Sequence, residues 1–264
     1  MKIETQKEEI IYRDQPLEIE YFLRHGQKET VLYLHGLGCS KADFLGATEI
    51  ESLSTHTLIA LDFPGHGNSS YNDKLDMDDL VEVTGLFTER LNLHDLVLIG
   101  HSMGGLVALL FAERYGKKVK AFINLEGNLA GEDCTFSRQA AGVDYDTFSN
   151  ETFRNFKIVL QFSKKPGFKK CAETLVKYNP RKAMYDFSPS LVKYSDSEEL
   201  IEKFESLKIP KCLIHGSENN GLSYIPQLIQ KGIPVFEIPD SNHFPQYDNP
   251  GEYYRVIAEF LDRV

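Results

Sequence analysis

The sequence predicts an α/β fold, a mostly parallel and doubly wound sheet with a helical cap inserted into it. Short, nearly continuous apolar runs recur along the chain, as in strands that are buried on both faces. Helical patterns separate these runs, and the order strand, helix, strand predicts a parallel sheet covered on both sides. The alternation is interrupted once, over residues 128–207, where aromatic residues recur among charges without any buried-strand run. This interruption predicts the cap.

The individual elements follow from hydrophobic periodicity. Polar and apolar residues alternate over 17–22, which predicts a half-exposed strand with residues 10–12 as its antiparallel neighbour. The predicted buried strands cover 31–34, 57–61, 96–99, 119–125, 212–214 and 235–238. The predicted helices outside the cap cover 77–91, 106–115, 222–230 and 253–261.

The predicted domain division assigns residues 1–127 and 208–264 to the core and 128–207 to the cap. Most cap aromatics are expected to pack the cap's own helices. A minority are expected to line an apolar pocket, because an insertion at the carboxyl ends of the strands covers the ligand site of an open α/β sheet.

Composition limits the class of partner and the compartment. A formal charge of −10 argues against nucleic acid, and no basic stripe stands out. The N-terminal residues lack the apolar core of a secretion signal, and no apolar run is long enough to span a bilayer. We therefore expect a cytoplasmic protein without a membrane partner. Four scattered cysteines indicate reduced thiols rather than disulfides or a metal site, and no pattern specifies an oligomeric state.

Residues 96–110 contain the strongest chemical signal, a buried strand, a sharp turn and a helix around Ser102. Such a turn strains the central residue and requires nearly side-chain-free positions two before and two after it, which Gly100 and Gly104 provide. The first turn of the helix also offers unpaired N–H groups and a positive dipole end. Ser102 is thus predicted to be a nucleophile that attacks a carbonyl.

The chain resembles the α/β-hydrolase superfamily through motifs on both sides of the cap. These motifs are Leu34-His35-Gly36-Leu37-Gly38, Asp62-Phe63-Pro64-Gly65-His66-Gly67-Asn68-Ser69, Gly100-His101-Ser102-Met103-Gly104-Gly105 and Ser241-Asn242-His243-Phe244. The resemblance implies that His243 is the catalytic base and that the N–H groups of Leu37 and Met103 form the oxyanion hole. His215 is the less favoured base, and His66 is expected in a surface turn.

The acid of the triad departs from the superfamily's common pattern. The position that usually carries an aspartate, three residues after Gly216, is Asn219. Two glutamates are candidate replacements: Glu126, directly after the predicted strand 119–125, and Glu218 in the loop after Gly216. We favour Glu126, a placement similar to that in some haloalkane dehalogenases, and keep Glu218 as the alternative acid.

These residues predict a serine hydrolase, with a carboxylesterase for small or medium apolar acyl esters as the first choice. The small-molecule substrate is expected to be ester-like, and no cofactor is expected, since the glycines near residue 36 lack the rest of a dinucleotide fingerprint. The same apparatus also serves thioesterases, lactonases, amidases and carbon–carbon hydrolases. A ligand-binding protein that keeps the fold without turnover is the alternative from another class.

Overall fold

In the computed structural model, which describes residues 3–72 and 74–264, eight strands form one sheet in the order β1-β2-β4-β3-β5-β6-β7-β8. The strands are β1 (Glu4–Tyr12), β2 (Gln15–Arg24), β3 (Lys28–Leu34), β4 (His56–Leu61), β5 (Leu96–His101), β6 (Val119–Leu125), β7 (Lys211–Gly216) and β8 (Val235–Ile238). β1 and β2 form an antiparallel hairpin, and β2 is also antiparallel to β4. All other neighbours are parallel, which confirms the predicted mostly parallel sheet.

Helices connect the strands on both sides of the sheet. They are α1 (Met77–Arg90), α2 (Met103–Arg114), α3 (Phe136–Ala141), α4 (Tyr145–Thr147), α5 (Phe153–Gln161), α6 (Pro166–Tyr178), α7 (Arg181–Ser195), α8 (Glu199–Ser206), α9 (Ile225–Gln230), α10 (Pro245–Asp248) and α11 (Pro250–Leu261). A 3-10 helix over Lys41–Glu49 follows β3, an element without a clear apolar period in the sequence.

The core has one apolar layer on each face of the sheet, because successive strand residues point to opposite faces. In β3, Leu32 and Leu34 belong to one layer, and Val31 and Tyr33 to the other. Helices α1 and α2 cover the first layer, and α11 covers the second. This arrangement explains why the parallel strands read as continuous apolar runs.

Helices α3 to α8 all lie between β6 and β7 in the chain. Helices α3, α5, α6 and α7 contribute to a third apolar cluster, in which Phe148, Leu175 and Met184 of this segment meet Cys39 and Phe244. The buried Leu200 and Phe204 of α8 belong instead to the first layer of the sheet. Cys39 follows β3 and Phe244 follows β8, so the segment packs over the edge where the parallel strands end. The division into core and cap remains a prediction.

Two details differ from expectation. The strand β8 was expected to be buried on both faces, but only Ile238 of its residues is buried, because β8 has a single neighbour at the edge of the sheet. The helix predicted over 222–230 begins at Ile225. Among the described residues, no helix has the length and apolar character needed to cross a membrane.

Candidate active site

The turn between β5 and α2 holds Ser102 in a strained backbone conformation, with φ of 52° and ψ of −124°. A left-handed φ is costly for a residue with a side chain and persists only where neighbours enforce it. The Ser102 N–H donates to the Leu125 carbonyl at 3.0 Å, and the Ser102 carbonyl accepts from Gly105 N–H at 2.7 Å. Ser102 therefore lies just before the amino end of α2, between the ends of β5 and β6.

Close backbone contacts account for the glycines of this turn. A Cβ on Gly100 would lie 2.4 Å from the Gly104 carbonyl oxygen, and one on Gly104 would lie 2.2 Å from the Leu34 carbonyl oxygen. Any side chain at these positions would push α2 away from the ends of the strands. The glycine spacing that the sequence displays is thus a steric requirement of the turn.

A loop after β3 passes beside Ser102. A Cβ on Gly36 would lie 3.1 Å from both Ser102 Cβ and His101 Nδ1. Within the described part of the chain, the N–H groups of Leu37 and Met103 have no hydrogen-bond acceptor. Two free donors therefore lie near the serine, one on this loop and one at the start of α2.

Two buried histidines hold that loop. His66 Nε2 accepts from the Gly38 N–H at 3.0 Å, while His35 Nε2 accepts from the Phe63 N–H at 3.0 Å and its Nδ1 lies 2.8 Å from the Gly36 carbonyl oxygen. Burial lowers the pKa of both imidazoles to about 3, so they stay neutral and keep an accepting nitrogen. The prediction that His66 lies in a surface turn is wrong. Its ring is fully buried, where it accepts a hydrogen bond from the loop after β3.

Glu126 lies directly after β6 with a left-handed φ of 49° and is buried. Its Oε1 accepts from the Gly216 N–H at 2.6 Å, and its Oε2 accepts from Asn219 Nδ2 at 2.9 Å. The same Oε2 lies 3.5 Å from His243 Nδ1. A buried carboxylate therefore faces the imidazole of His243, with two donors fixing its orientation.

His243 follows β8 and is anchored through its backbone. Its N–H donates to Asn242 Oδ1 at 2.7 Å, and its carbonyl oxygen lies 2.8 Å from His101 Nε2. The side chain is 32% exposed. The ring thus keeps contact with the cavity, while the backbone is tied to the residue that precedes Ser102.

Glu218, the alternative acid, has other partners. Its Oε1 lies 2.5 Å from Lys165 Nζ, and its Oε2 accepts from Asn242 Nδ2 at 2.9 Å. The hydrogen bonds from Lys165 and Asn242 lower the pKa of this exposed carboxyl. The less favoured base, His215, has its Nδ1 3.0 Å from the Gly216 carbonyl oxygen.

One cavity of about 260 Å³ brings most of these groups together. Ser102, His243, Glu126, Leu37 and Asn219 all border it, whereas Glu218 does not. The polar part of its wall comes from His101 and Ser102 at the end of β5 and from side chains that follow β6, β7 and β8. The apolar part of its wall is formed by Leu37, Cys39, Phe136, Phe156, Leu160, Phe168, Cys171, Leu191, Leu222 and Phe244.

The sequence reasoning missed the roles of Asn219 and His66. Asn219 was discounted because an amide holds no charge, yet it donates to the carboxylate that faces His243. A signal did exist, since an amide at the position of a missing acid is suited to bind a carboxylate placed elsewhere. His66 gave no comparable signal, because its partner Gly38 is distant in sequence.

The fold and the arrangement of these side chains resemble those of an alpha/beta hydrolase, and comparison with known proteins identifies the same family. Residues 29–250 match the model of the alpha/beta hydrolase fold family, so the chain belongs to that family. The predicted resemblance and fold class are thereby confirmed.

Individual relatives and structures are similar over nearly the whole chain. A protein of Mycoplasma pneumoniae named "Putative esterase/lipase 2" is 25% identical over 264 residues, covering 92% of each chain. A thermophilic esterase from Thermogutta terrifontis, solved with malate bound, has a TM-score of 0.78 at 21% identity and covers 98% of each chain. A structure from a study of carboxylesterases of Nitrososphaera gargenis has a TM-score of 0.79 at 17% identity, covering 97% of this chain and 98% of that one.

Proposed function

We propose that the protein is a serine hydrolase, specifically a carboxylesterase for small or medium apolar acyl esters. The observation that carries this proposal is the convergence at one cavity of a strained serine, an imidazole and a buried carboxylate. A serine hydroxyl requires a base, an orienting acid and oxyanion donors to attack a carbonyl, and each has a candidate here. The relative named as an esterase/lipase supports the reaction class.

In the proposed mechanism, His243 takes the proton of Ser102 as the serine oxygen attacks the ester carbonyl. The N–H groups of Leu37 and Met103 stabilise the oxyanion, and Glu126 stabilises the imidazolium. His243 then donates its proton to the leaving alcohol, which leaves an acyl group on Ser102. Water, deprotonated by His243, attacks the acyl carbonyl, and His243 returns this proton to the oxygen of Ser102 as the acid is released.

The cavity wall supports an apolar acyl group. Phe136 and Phe156 stack with ring centroids 3.8 Å apart, and Leu160 and Phe168 border the same cavity. The bordering residues include no lysine or arginine, so no cation within this wall is placed to bind a carboxylate on the substrate. We therefore propose an uncharged acyl chain and assign the segment 128–207 as the cap that surrounds it.

The compartment is part of the proposal. Cys39, Cys134, Cys171 and Cys212 are all buried and unpaired. Free thiols without a disulfide framework are typical of reducing compartments. We propose a cytoplasmic enzyme on this basis.

Labelling with a fluorophosphonate probe tests the nucleophile. We expect the folded wild-type protein to be labelled at Ser102 and Ser102→Ala to remain unlabelled, because the probe reacts with an activated serine. Loss of Ser102 should also lower ester turnover by about 10⁴-fold or more. A folded wild-type protein that the probe leaves unlabelled would contradict the hydrolase proposal.

A panel of p-nitrophenyl esters of increasing acyl length tests the substrate class. We expect kcat/KM to be highest for short to medium uncharged chains and low for esters of dicarboxylic acids. Thioesters, lactones and amides of the same acyl groups form the comparison set. A clear preference for one of these substrates would reassign the protein as a thioesterase, lactonase or amidase with the same serine mechanism.

A further inference from the structure

One pair of helices has a strongly positive net charge although the protein as a whole is acidic. Residues 153–178, which form α5, α6 and the loop between them, hold seven lysines or arginines and one acidic residue, a net charge of +6. The chain as a whole carries −10, so the remaining residues carry −16. We call this segment the α5–α6 hairpin. It departs from the sequence-based expectation that the protein has no basic stripe.

The α5–α6 hairpin also carries the most exposed large apolar side chains in the described part of the molecule. Phe162 is 84% exposed and Val159 is 68% exposed, and Ile158 is 40% exposed. Residues 158 and 162 are four apart and residues 159 and 162 three apart, so the three side chains share one face of the helix. An exposed apolar group of this kind indicates an interaction surface when charged residues border it.

Several cations of the hairpin remain free. Arg154, Lys164 and Lys169 are exposed and form no ion pair within the described residues. Arg154 lies four residues before Ile158, and Lys164 lies two residues after Phe162. The apolar face is thus flanked along the chain by cations that no carboxylate neutralises.

The inner side of the same hairpin belongs to the candidate active site. Phe156 and Leu160 of α5 and Phe168 of α6 border the cavity. The hairpin is also tied to the loops around His243, since Gly167 N–H donates to Asp248 Oδ1 at 2.9 Å. Whatever binds the outer face therefore lies one helix thickness from the cavity.

We propose that the outer face of the α5–α6 hairpin docks onto an anionic lipid surface. A helix with exposed apolar residues and adjoining cations binds in the interface plane, with the apolar side chains among the acyl chains and the cations at the headgroups. Lysines are point charges without a fixed geometry, which suits a fluid layer of phosphates better than a fixed array of carboxylates on a protein. Peripheral docking of this kind requires no spanning helix and revises the expectation that the protein has no membrane partner. It does not depend on the proposed esterase activity.

Sedimentation with lipid vesicles tests the proposal. The probes are vesicles of phosphatidylcholine containing about one third phosphatidylglycerol, and vesicles of phosphatidylcholine alone. We expect the wild-type protein to bind the anionic vesicles at low salt and to dissociate at about 0.5 M NaCl, where screening is strong. Lys164→Glu with Lys169→Glu should lower the partition coefficient by about 30-fold or more, since each cation near an anionic surface contributes about a five-fold factor.

Replacement of the apolar residues tests insertion separately from charge. Val159→Asn with Phe162→Asn should lower binding by about 100-fold or more, because two large apolar side chains no longer leave water. The matched controls are Lys117→Glu with Lys208→Glu, which makes the same change in charge at exposed sites outside the hairpin, and Ile229→Asn, which alters a residue 59% exposed on α9. Both controls should bind as the wild type does, and thermal melting should show that all variants are folded.

Three results would overturn the proposal. The first is equal sedimentation of the wild type and the Lys164/Lys169 variant with anionic vesicles. The second is equal binding of the wild type to anionic and neutral vesicles. The third is a wild-type dimer in analytical ultracentrifugation that the Val159/Phe162 variant abolishes, because a second copy of the chain would then cover the face.

Discussion

The candidate active site has two halves that are built in different ways. The nucleophile half comprises the loop after β3 and the turn around Ser102, where backbone approaches backbone at Gly100 and Gly104. The proton-transfer half comprises Glu126, Asn219 and His243, which follow β6, β7 and β8 and meet through side-chain contacts. The first half depends on close packing of backbone against backbone, and the second on the convergence of side chains from three distant segments.

This difference determines whether the functional residues of each half can be supplied from other positions in the chain. A nucleophile that depends on glycine spacing and a left-handed backbone has no alternative position nearby. An acid that acts through a carboxylate oxygen can be supplied by any segment that ends near the imidazole. The parallel sheet brings several strand ends to that place, which is why the proposed acid after β6 is compatible with an amide at the end of β7.

The largest effect is expected for Glu126→Gln. If Glu126 is the acid, the variant should lose about 10³- to 10⁴-fold in kcat, because the imidazolium loses its charged partner. The matched control is Glu218→Gln, which removes a solvent-exposed carboxylate paired with Lys165 and should change kcat by less than about three-fold. Steady-state kinetics on one ester measures both. A large loss confined to Glu218→Gln would assign the acid to the loop after β7.

A smaller effect is expected where a buried side chain supports the nucleophile half. His66→Leu leaves the Gly38 N–H without its acceptor and should lower kcat by about 10- to 100-fold with little change in KM, because the Leu37 donor is displaced. His66→Gln, which retains an accepting oxygen, should recover part of this loss. If both variants lose activity equally, the ring supports the loop by its volume rather than by its hydrogen bond.

A second substitution that restores part of the activity of Glu126→Gln would show how far the position of the acid can change. In Glu126→Gln with Asn219→Asp, the only carboxylate of the pair lies at residue 219, where the superfamily resemblance implies an acid, beside the side chain of residue 126. We expect kcat about ten-fold above that of Glu126→Gln alone. The single variant Asn219→Asp serves as the control and should be less active than the wild type, because two carboxylates then face each other. No rescue would mean that the end of β7 lies out of reach of His243.

The smallest effect concerns Asp43, which joins the two halves. Asp43 follows the loop after β3 and accepts from the hydroxyl of Tyr247, which follows His243, at 2.9 Å. Burial raises the pKa of Asp43 to about 6, although hydrogen bonds from Cys39 and Tyr247 oppose the shift. Between the pKa of the unfolded carboxyl, about 4, and the folded pKa of about 6, the folded state keeps a proton that the unfolded chain has lost. Stability is therefore lost as the pH rises through this range, and the loss is complete above about pH 6.

We therefore expect Asp43→Asn to raise the melting temperature by several degrees at pH 8, corresponding to about 2 to 3 kcal/mol, and by about a third as much at pH 4.5. Circular dichroism melts at the two pH values measure the difference. The exposed Asp146→Asn is the control and should leave both temperatures unchanged. An equal gain at both values would show that the ionisation of Asp43 is not the cause.

The predictability of each part follows from the range of the forces that build it. The buried strands were recognisable because a parallel strand must be apolar on both faces. The turn at Ser102 was recognisable because its glycine spacing is visible in the sequence, although Gly104 is required by contact with the distant β3. The edge strand β8 was overestimated, since a short apolar run does not reveal whether it has one neighbour or two. His66 was misjudged because its burial depends on a loop 28 residues earlier in the chain.

The triad acid was also difficult to predict from the sequence because its contacts are long-range. Its candidates were narrowed to Glu126 and Glu218 by the absence of an aspartate at residue 219, but the contacts of each depend on how three loops meet. The positive charge of the α5–α6 hairpin is not evident from the net charge of the whole chain, which is −10. Its free cations and exposed Phe162 became evident only when the helices had a defined outer face.

The hydrogen bond between Asn219 and Glu126 also has a consequence for how such sites evolve. An asparagine codon is one nucleotide from an aspartate codon, so a single mutation at residue 219 would place a second carboxylate beside Glu126. The intermediate that holds both carboxylates pays a cost in like-charge repulsion, and the intermediate that holds neither lacks the acid. If the acid moved between the ends of β6 and β7 by single substitutions, either order would therefore pass through a less favourable intermediate.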